Sequence, residues 1–143
     1  MATEILVNDG GAPARIIRFT ANEALTAGDA LQFVHVGSGD VKVEQAESGD
    51  TSGMFIGVAL TDCASGAVAS VITGRGVICR INCADVNGGI PLMPHASTGG
   101  QLISYVAAAS GSNKGFDGTP CAVTVEDGAL AGGGAGLVKC LIL

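Results

Sequence analysis

The chain has 143 residues, with Gly at 23 positions, 48% hydrophobic residues, only 3% aromatics and no Trp, 14% charged residues, and a net charge of −6. Seven scattered basic residues (Arg15, Arg18, Lys42, Arg75, Arg80, Lys114 and Lys139) form no basic stripe of the kind that neutralises phosphates, so nucleic acid is excluded as a partner. No apolar run is long enough for a spanning helix, and MATEILVNDGG lacks a basic start followed by an apolar stretch, so neither a membrane span nor a secretory signal is expected.

A chain of this length builds one core without metal or disulfide staples. Its apolar residues are mostly small or β-branched, and little charge is left to coat the outside. Such a composition predicts exposed apolar surface, which favours a homo-oligomer or a docked subunit.

Residues 1–20 form a polar, glycine-containing start followed by RIIRFT, Arg15–Thr20. Two readings stand side by side. Either this is an extended N-terminal arm that adds to a neighbouring sheet edge, or it is the first strand of the domain that fills residues 21–143. From there period-two patterns recur between glycine-rich turns. Strands are expected at Leu31–Val36, Val41–Gln45, Met54–Leu60, Ala67–Thr73, Val77–Cys83, Leu102–Val106, Cys121–Glu126 and Leu137–Leu143. In Met54–Leu60 large residues line one face with Gly57 and Ala59 behind, a pattern that predicts cover on both sides. In Val77–Cys83 the residues Val77, Cys79, Ile81 and Cys83 share a face opposite Ile78, Arg80 and Asn82. The one helical candidate, Ser104–Ser110, is too short to stand alone. The expected fold is all-β: a compact β-barrel or sandwich of short strands with Gly-rich turns.

Two stretches echo each other. Thr26–Ile78 and Asn87–Leu143 each open on a glycine-containing turn, and each later runs from an apolar strand through an acidic, small-residue turn to another apolar strand. One barrel of two similar halves is the expectation from this echo.

Chemistry is hard to find. His35 lies in FVHVG and His95 in MPHAS, and neither a GxSxG elbow nor HExxH accompanies them, so no catalytic residue is expected. Cys63, Cys79, Cys83, Cys121 and Cys140 are an odd set without CxxC and read as buried small hydrophobes. Cys79 and Cys83 fall ~13 Å apart on a strand rising about 3.3 Å per residue, too far to share a zinc ion. Asp117, Glu126 and Asp127 read as solvated turn residues, and Ala131–Gly136 as a connection rather than a phosphate loop. No metal and no cofactor is expected. Gly74-Arg75-Gly76 reads as a hairpin turn that exposes Arg75 for contact. Glycan binding by a β-sandwich or adhesion module is the competing function. Its stacking platform would have to come from Phe19, Phe33, Phe55, Phe116 and Tyr105.

The stretches GDALQFVHVGSG and MFIGVALTDCASGAVASVITGRGVICRI, with the closing LVKCLIL, resemble the small capsid decoration (cement) proteins of tailed bacteriophages. The resemblance implies a non-enzymatic virion protein, synthesised in the host cytoplasm. It would form homotrimers on the outer capsid surface and bridge neighbouring copies of the phage major capsid protein. Arg15, Ile16, Ile17, Arg18, Phe19 and Arg75 are the residues expected at the capsid or oligomer interface.

Overall fold

The computed structural model describes residues 4–7, 10–37, 39–47, 55–84, 86–105, 120–127 and 134–143. Among them lie ten strands and no helix: β1 (Arg15–Thr20), β2 (Ala30–Val34), β3 (Lys42–Gln45), β4 (Phe55–Ala59), β5 (Val68–Thr73), β6 (Ile78–Cys83), β7 (Pro91–Pro94), β8 (Leu102–Ser104), β9 (Ala122–Thr124) and β10 (Gly136–Ile142). The fold is all-β, as the alternation predicts. The helical candidate Ser104–Ser110 begins on β8, and its residues 106–110 fall outside the described set. Strand β7 is the one sequence inspection passes over. Its prolines sit at its first and last positions, where a missing N–H leaves no ladder bond unmade.

Strands β1–β5 form one sheet in the order β1-β5-β4-β2-β3, and strands β6–β10 form a closed barrel. Read round from β6, the barrel runs β6-β10-β9-β7-β8, the same circuit as the sheet. The correspondence includes the closing contact. Ala21, just past β1, meets Val43 of β3 in a parallel bridge, and Cys83 of β6 meets Leu102 of β8 in another. Every other pairing between strands is antiparallel.

Individual hydrogen bonds repeat as well. Gly28 N–H donates to Ala59 O at 2.8 Å, and Gly89 N–H to Thr124 O at 2.8 Å. Asn22 N–H donates to Val43 O at 2.8 Å, and Ala84 N–H to Leu102 O at 2.9 Å. The echo in the sequence is therefore a tandem repeat. It builds two consecutive five-stranded units where one barrel of two halves was expected.

Carboxylates fasten the same corner in both units. Ala27 N–H donates to Asp62 Oδ1 at 2.8 Å, and Gly88 N–H donates to Asp127 Oδ1 at 2.7 Å. Each bond ties the turn before the second strand to the turn after the fourth. Asp62→Ala and Asp127→Ala are each expected to lower stability by about 1 kcal/mol, the low end for a charge-assisted bond at an exposed site. Urea midpoints of the two variants should fall by similar amounts; a loss in one alone would contradict the equivalence.

Two cores follow from this arrangement. Leu31, Val43, Ala59, Ala69 and Val71 fill the concave side of the first sheet. Its other side supplies Ala30, Val58 and Ile72 to a larger core with Cys79, Ile81, Leu92, Leu102, Val138 and Cys140 of the barrel. Strand β4 thus contributes to both cores, the double cover that its sequence predicts.

The N-terminal segment is extended and built into the second unit. Ile5 is 3% exposed within the larger core, Arg80 N–H donates to Ile5 O at 2.7 Å, and Leu6 bridges Cys79. Arg80 Nη1 also reaches Glu4 O at 3.0 Å. Arg15–Thr20, for its part, lies along β5 as the edge strand of the first sheet.

Candidate assembly surfaces

The residues singled out on β1 divide by parity. Ile17 and Phe19 turn inward against the smaller core, where Phe19 meets Phe33 edge-on with ring centroids 5.0 Å apart. Arg15, Ile16 and Arg18 are exposed. Ala21 N–H donates to Ala67 O, so the hydrogen-bonded pairs of the β1–β5 ladder are the odd residues of β1. The N–H and C=O groups of Ile16 and Arg18 consequently face away from β5, with no backbone partner among the described residues. Arg75 sits exposed on the turn between β5 and β6, flanked by Gly74 (φ 128°) and Gly76 (φ 80°). Since Arg15 pairs with Thr73, Arg15 and Arg75 occupy the same end of the first sheet. The structure therefore groups Arg15 with Arg75 and Ile16 with Arg18, and gives Ile17 and Phe19 to the interior.

Further apolar residues on the surface escaped the sequence reading: Val36 at 52% exposure, Val41 at 41%, Val68 at 63% and Val125 at 45%. Their signal was present in the sequence. Each is a valine in a stretch where strand alternation or a neighbouring turn puts the side chain outside.

Groups with catalytic potential are occupied structurally. His95 Nδ1 accepts from Ser97 N–H and Thr98 N–H, both at 3.1 Å, which makes the ring a turn fastener. His35 lies exposed beyond the end of β2. All five cysteines are free thiols. Four of them gather in the barrel, where Cys83 and Cys140 approach to 3.9 Å. Burial pushes the Cys79 and Cys121 thiols up to about 12, with the neighbouring Cys83 adding to each. The contact with Cys83 raises Cys140, and burial adds to it. Thiols held protonated in this way are poor nucleophiles. Among the described residues no three His, Cys, Asp or Glu side chains gather to hold a metal ion. Glu126 Oε1 accepts from Lys139 N–H at 2.8 Å and Asp127 serves its corner, while Asp117 lies outside the described residues. Phe116 also lies outside them, so the proposed stacking platform is described only in part.

A cleft of about 540 Å³ lies where the N-terminal segment meets the first unit, lined by Glu4, Ile5, Leu6, Ala27, Leu60, Thr61 and Asp62. Its walls are largely aliphatic, and Asp62 is already committed to Ala27 N–H. Nothing in it pairs a nucleophile with a base.

No family model matches the chain, and no curated protein matches it. Among solved structures it is similar to the N base of the head fiber protein gp8.5 of bacteriophage phi29. The match has a TM-score of 0.63 at 16% identity, over 92% of this chain and 95% of that one. A match of that extent takes in both five-stranded units. It establishes a shared fold.

Proposed function

We propose that this chain is a structural protein of a tailed-phage head, a decoration or cement subunit without catalytic activity. In this reading it sits as a homotrimer on the outer capsid surface and stabilises the lattice of the major capsid protein. The observation that carries the reading is the fold shared, over nearly the whole of both chains, with a head fiber base. The sequence resemblance to cement proteins points to the same particle. A net charge of −6 suits the outside of a shell better than its DNA-facing lumen.

Within this reading Arg15 and Arg75 are the contact for the capsid protein. They place two of the seven basic residues at one end of the first sheet, in a chain that is otherwise acidic. Repetition over a lattice lets weak contacts of this kind add up by avidity. The double variant Arg15→Glu/Arg75→Glu is expected to lose at least tenfold in co-sedimentation with heads that lack the protein, while its mass and circular dichroism stay unchanged. Undiminished binding would remove these arginines from the contact. Failure of the unmodified chain to bind heads would remove the function itself.

A further inference from the structure

We propose that copies of this chain join head to tail, repeating between molecules the contact that joins its two units within one molecule. The proposal draws on the homo-oligomer part of the reading above and is independent of the capsid part.

The internal contact has two unlike faces. The second unit presents a strand face, made of Arg80 and Asn82 on β6, Leu137 on β10 and the β7–β8 loop. The first unit presents a turn face, made of Ala27–Ala30, Ala46 and Leu60. Asn82 N–H donates to Gly28 O at 2.8 Å, and a side chain on Gly28 would overlap Leu137 Cδ2. From the β7–β8 loop, Gly100 accepts from Ala30 N–H at 2.8 Å and donates to Ala46 O at 3.2 Å. Unlike faces that meet in this way make a heterologous contact, which leaves one face of each kind unused at the two ends.

The tandem repeat identifies those unused faces. On the first unit the strand-face counterparts of Arg80, Asn82 and Leu137 are Arg18, Thr20 and Val68, and the counterpart of the β7–β8 loop is the β2–β3 loop. Four of the seven large apolar residues exposed among the described residues fall on this face: Ile16 and Val68 on β1 and β5, Val36 and Val41 in the loop. On the second unit the turn-face counterparts of Gly28, Ala30 and Leu60 are Gly89, Pro91 and Val125. Val125 is 45% exposed, and a Cβ on Gly89 would meet nothing within 4 Å. The space that Leu137 fills against Gly28 is thus vacant at Gly89. Val68 and Val125 stand 63% and 45% exposed, whereas their counterparts in the internal contact are more covered, Leu137 at 37% and Leu60 half-buried against the larger core. The occupant that fits both faces at once is a second copy.

Addition of this kind continues until a ring closes, or indefinitely. A closed ring of three copies would carry six near-equivalent units.

The test uses two surface substitutions and their mixture. Val68→Asp spoils only the strand face and Val125→Asp only the turn face, and both side chains are exposed enough for the fold to persist, as circular dichroism would verify. The unmodified chain is expected to run well above its 14.0 kDa mass by light scattering. Each variant alone should run as a single chain. Mixed in equal amounts, the two retain one intact contact, so a one-to-one dimer and nothing larger should form. Three results would overturn the proposal: an unmodified chain that stays single, variants that still assemble, or a mixture that stays single. If the unmodified chain is single and Val68→Asp loses head binding, the β1 face belongs to the capsid protein instead. Failure of the capsid reading is a separate result, because it leaves the light-scattering masses untouched.

Discussion

Gly57→Ala is expected to destabilise the protein by at least ~3 kcal/mol, the largest single-residue effect outside the cores. Gly57 lies in the middle of β4, which is buried on both sides. A Cβ there would overlap the carbonyl oxygen of Ile72 and come within 2.9 Å of Val71 Cγ1. A flexible side chain can move aside, but a backbone oxygen in a ladder can do so only by parting β4 from β5. That ladder cannot part cheaply, since Val58 and Ile72 belong to one core and Ala59 and Val71 to the other. The tandem counterpart of Gly57 is Ala122, which carries its methyl group at 0% exposure. The difference accompanies a register shift between Leu31 and Gln32 on β2, which pairs with β4 in the first unit only. Gly89→Ala is the matching control, with φ 73° but open space around it, and should cost about 1 kcal/mol from the backbone alone. Urea denaturation of the two variants checks the ordering, and a Gly57→Ala midpoint equal to that of the control would refute the steric account.

Stability should fall steeply in alkali. The Cys79 and Cys121 thiols are pushed up to about 12 from an ordinary 9.0, chiefly because burial penalises the thiolate. Between those two values the unfolded chain releases protons that the folded chain keeps. Stability is therefore fully present below about pH 9 and drains away as pH rises towards 12, at roughly 1.4 kcal/mol per pH unit for each thiol. Urea midpoints should be level from pH 7 to 8.5 and drop thereafter. In the double variant Cys79→Ala/Cys121→Ala the level at neutral pH is lower, because methyl groups fill less space, but the alkaline slope should be much shallower. An unchanged slope would assign the loss to other groups.

Much of this architecture could be read from the residues, and the failures have identifiable causes. Alternation located β1 to its last residue and nine of the ten described strands closely, because most of them bury one face and so carry a period of two. The inward set Cys79, Ile81 and Cys83 on β6 was legible for the same reason. Strand β7 was hidden by its prolines, which signal a break unless the neighbouring strands are known. The tandem repeat was legible from Thr26 and Asn87 onward, where the turns, the two aspartates and the last strands correspond. It was missed at the first strand, although Ile16 and Arg18 of RIIRFT recur as Ile78 and Arg80, because the echo was read only from Thr26 onward. That starting point left residues 1–20 open to two readings, an arm or a first strand. Their counterpart had been counted with the wrong half.

The assembly surface was legible only in part. Arg75 could be placed from its flanking glycines, and the exposure of β1 could be anticipated from its position ahead of the repeating pattern. That Ile17 and Phe19 turn inward depends on the ladder register with β5, which is a long-range property. Val68 and Val125 looked like ordinary strand valines. Only comparison of the two units reveals that each stands where its counterpart, Leu137 or Leu60, faces the contact between the units.

The short segment Glu4–Leu6 has a consequence for the order of events during synthesis. It leaves the ribosome ahead of both units, yet its hydrogen-bonding partner is Arg80 on β6. Strands β1–β5 need nothing beyond Thr73 to pair with one another, so the leading unit can close while its own first residues wait. Only when the trailing unit has emerged can Ile5 enter the larger core. Glu4–Leu6 is thus a clasp that joins the start of the leading unit to the trailing one.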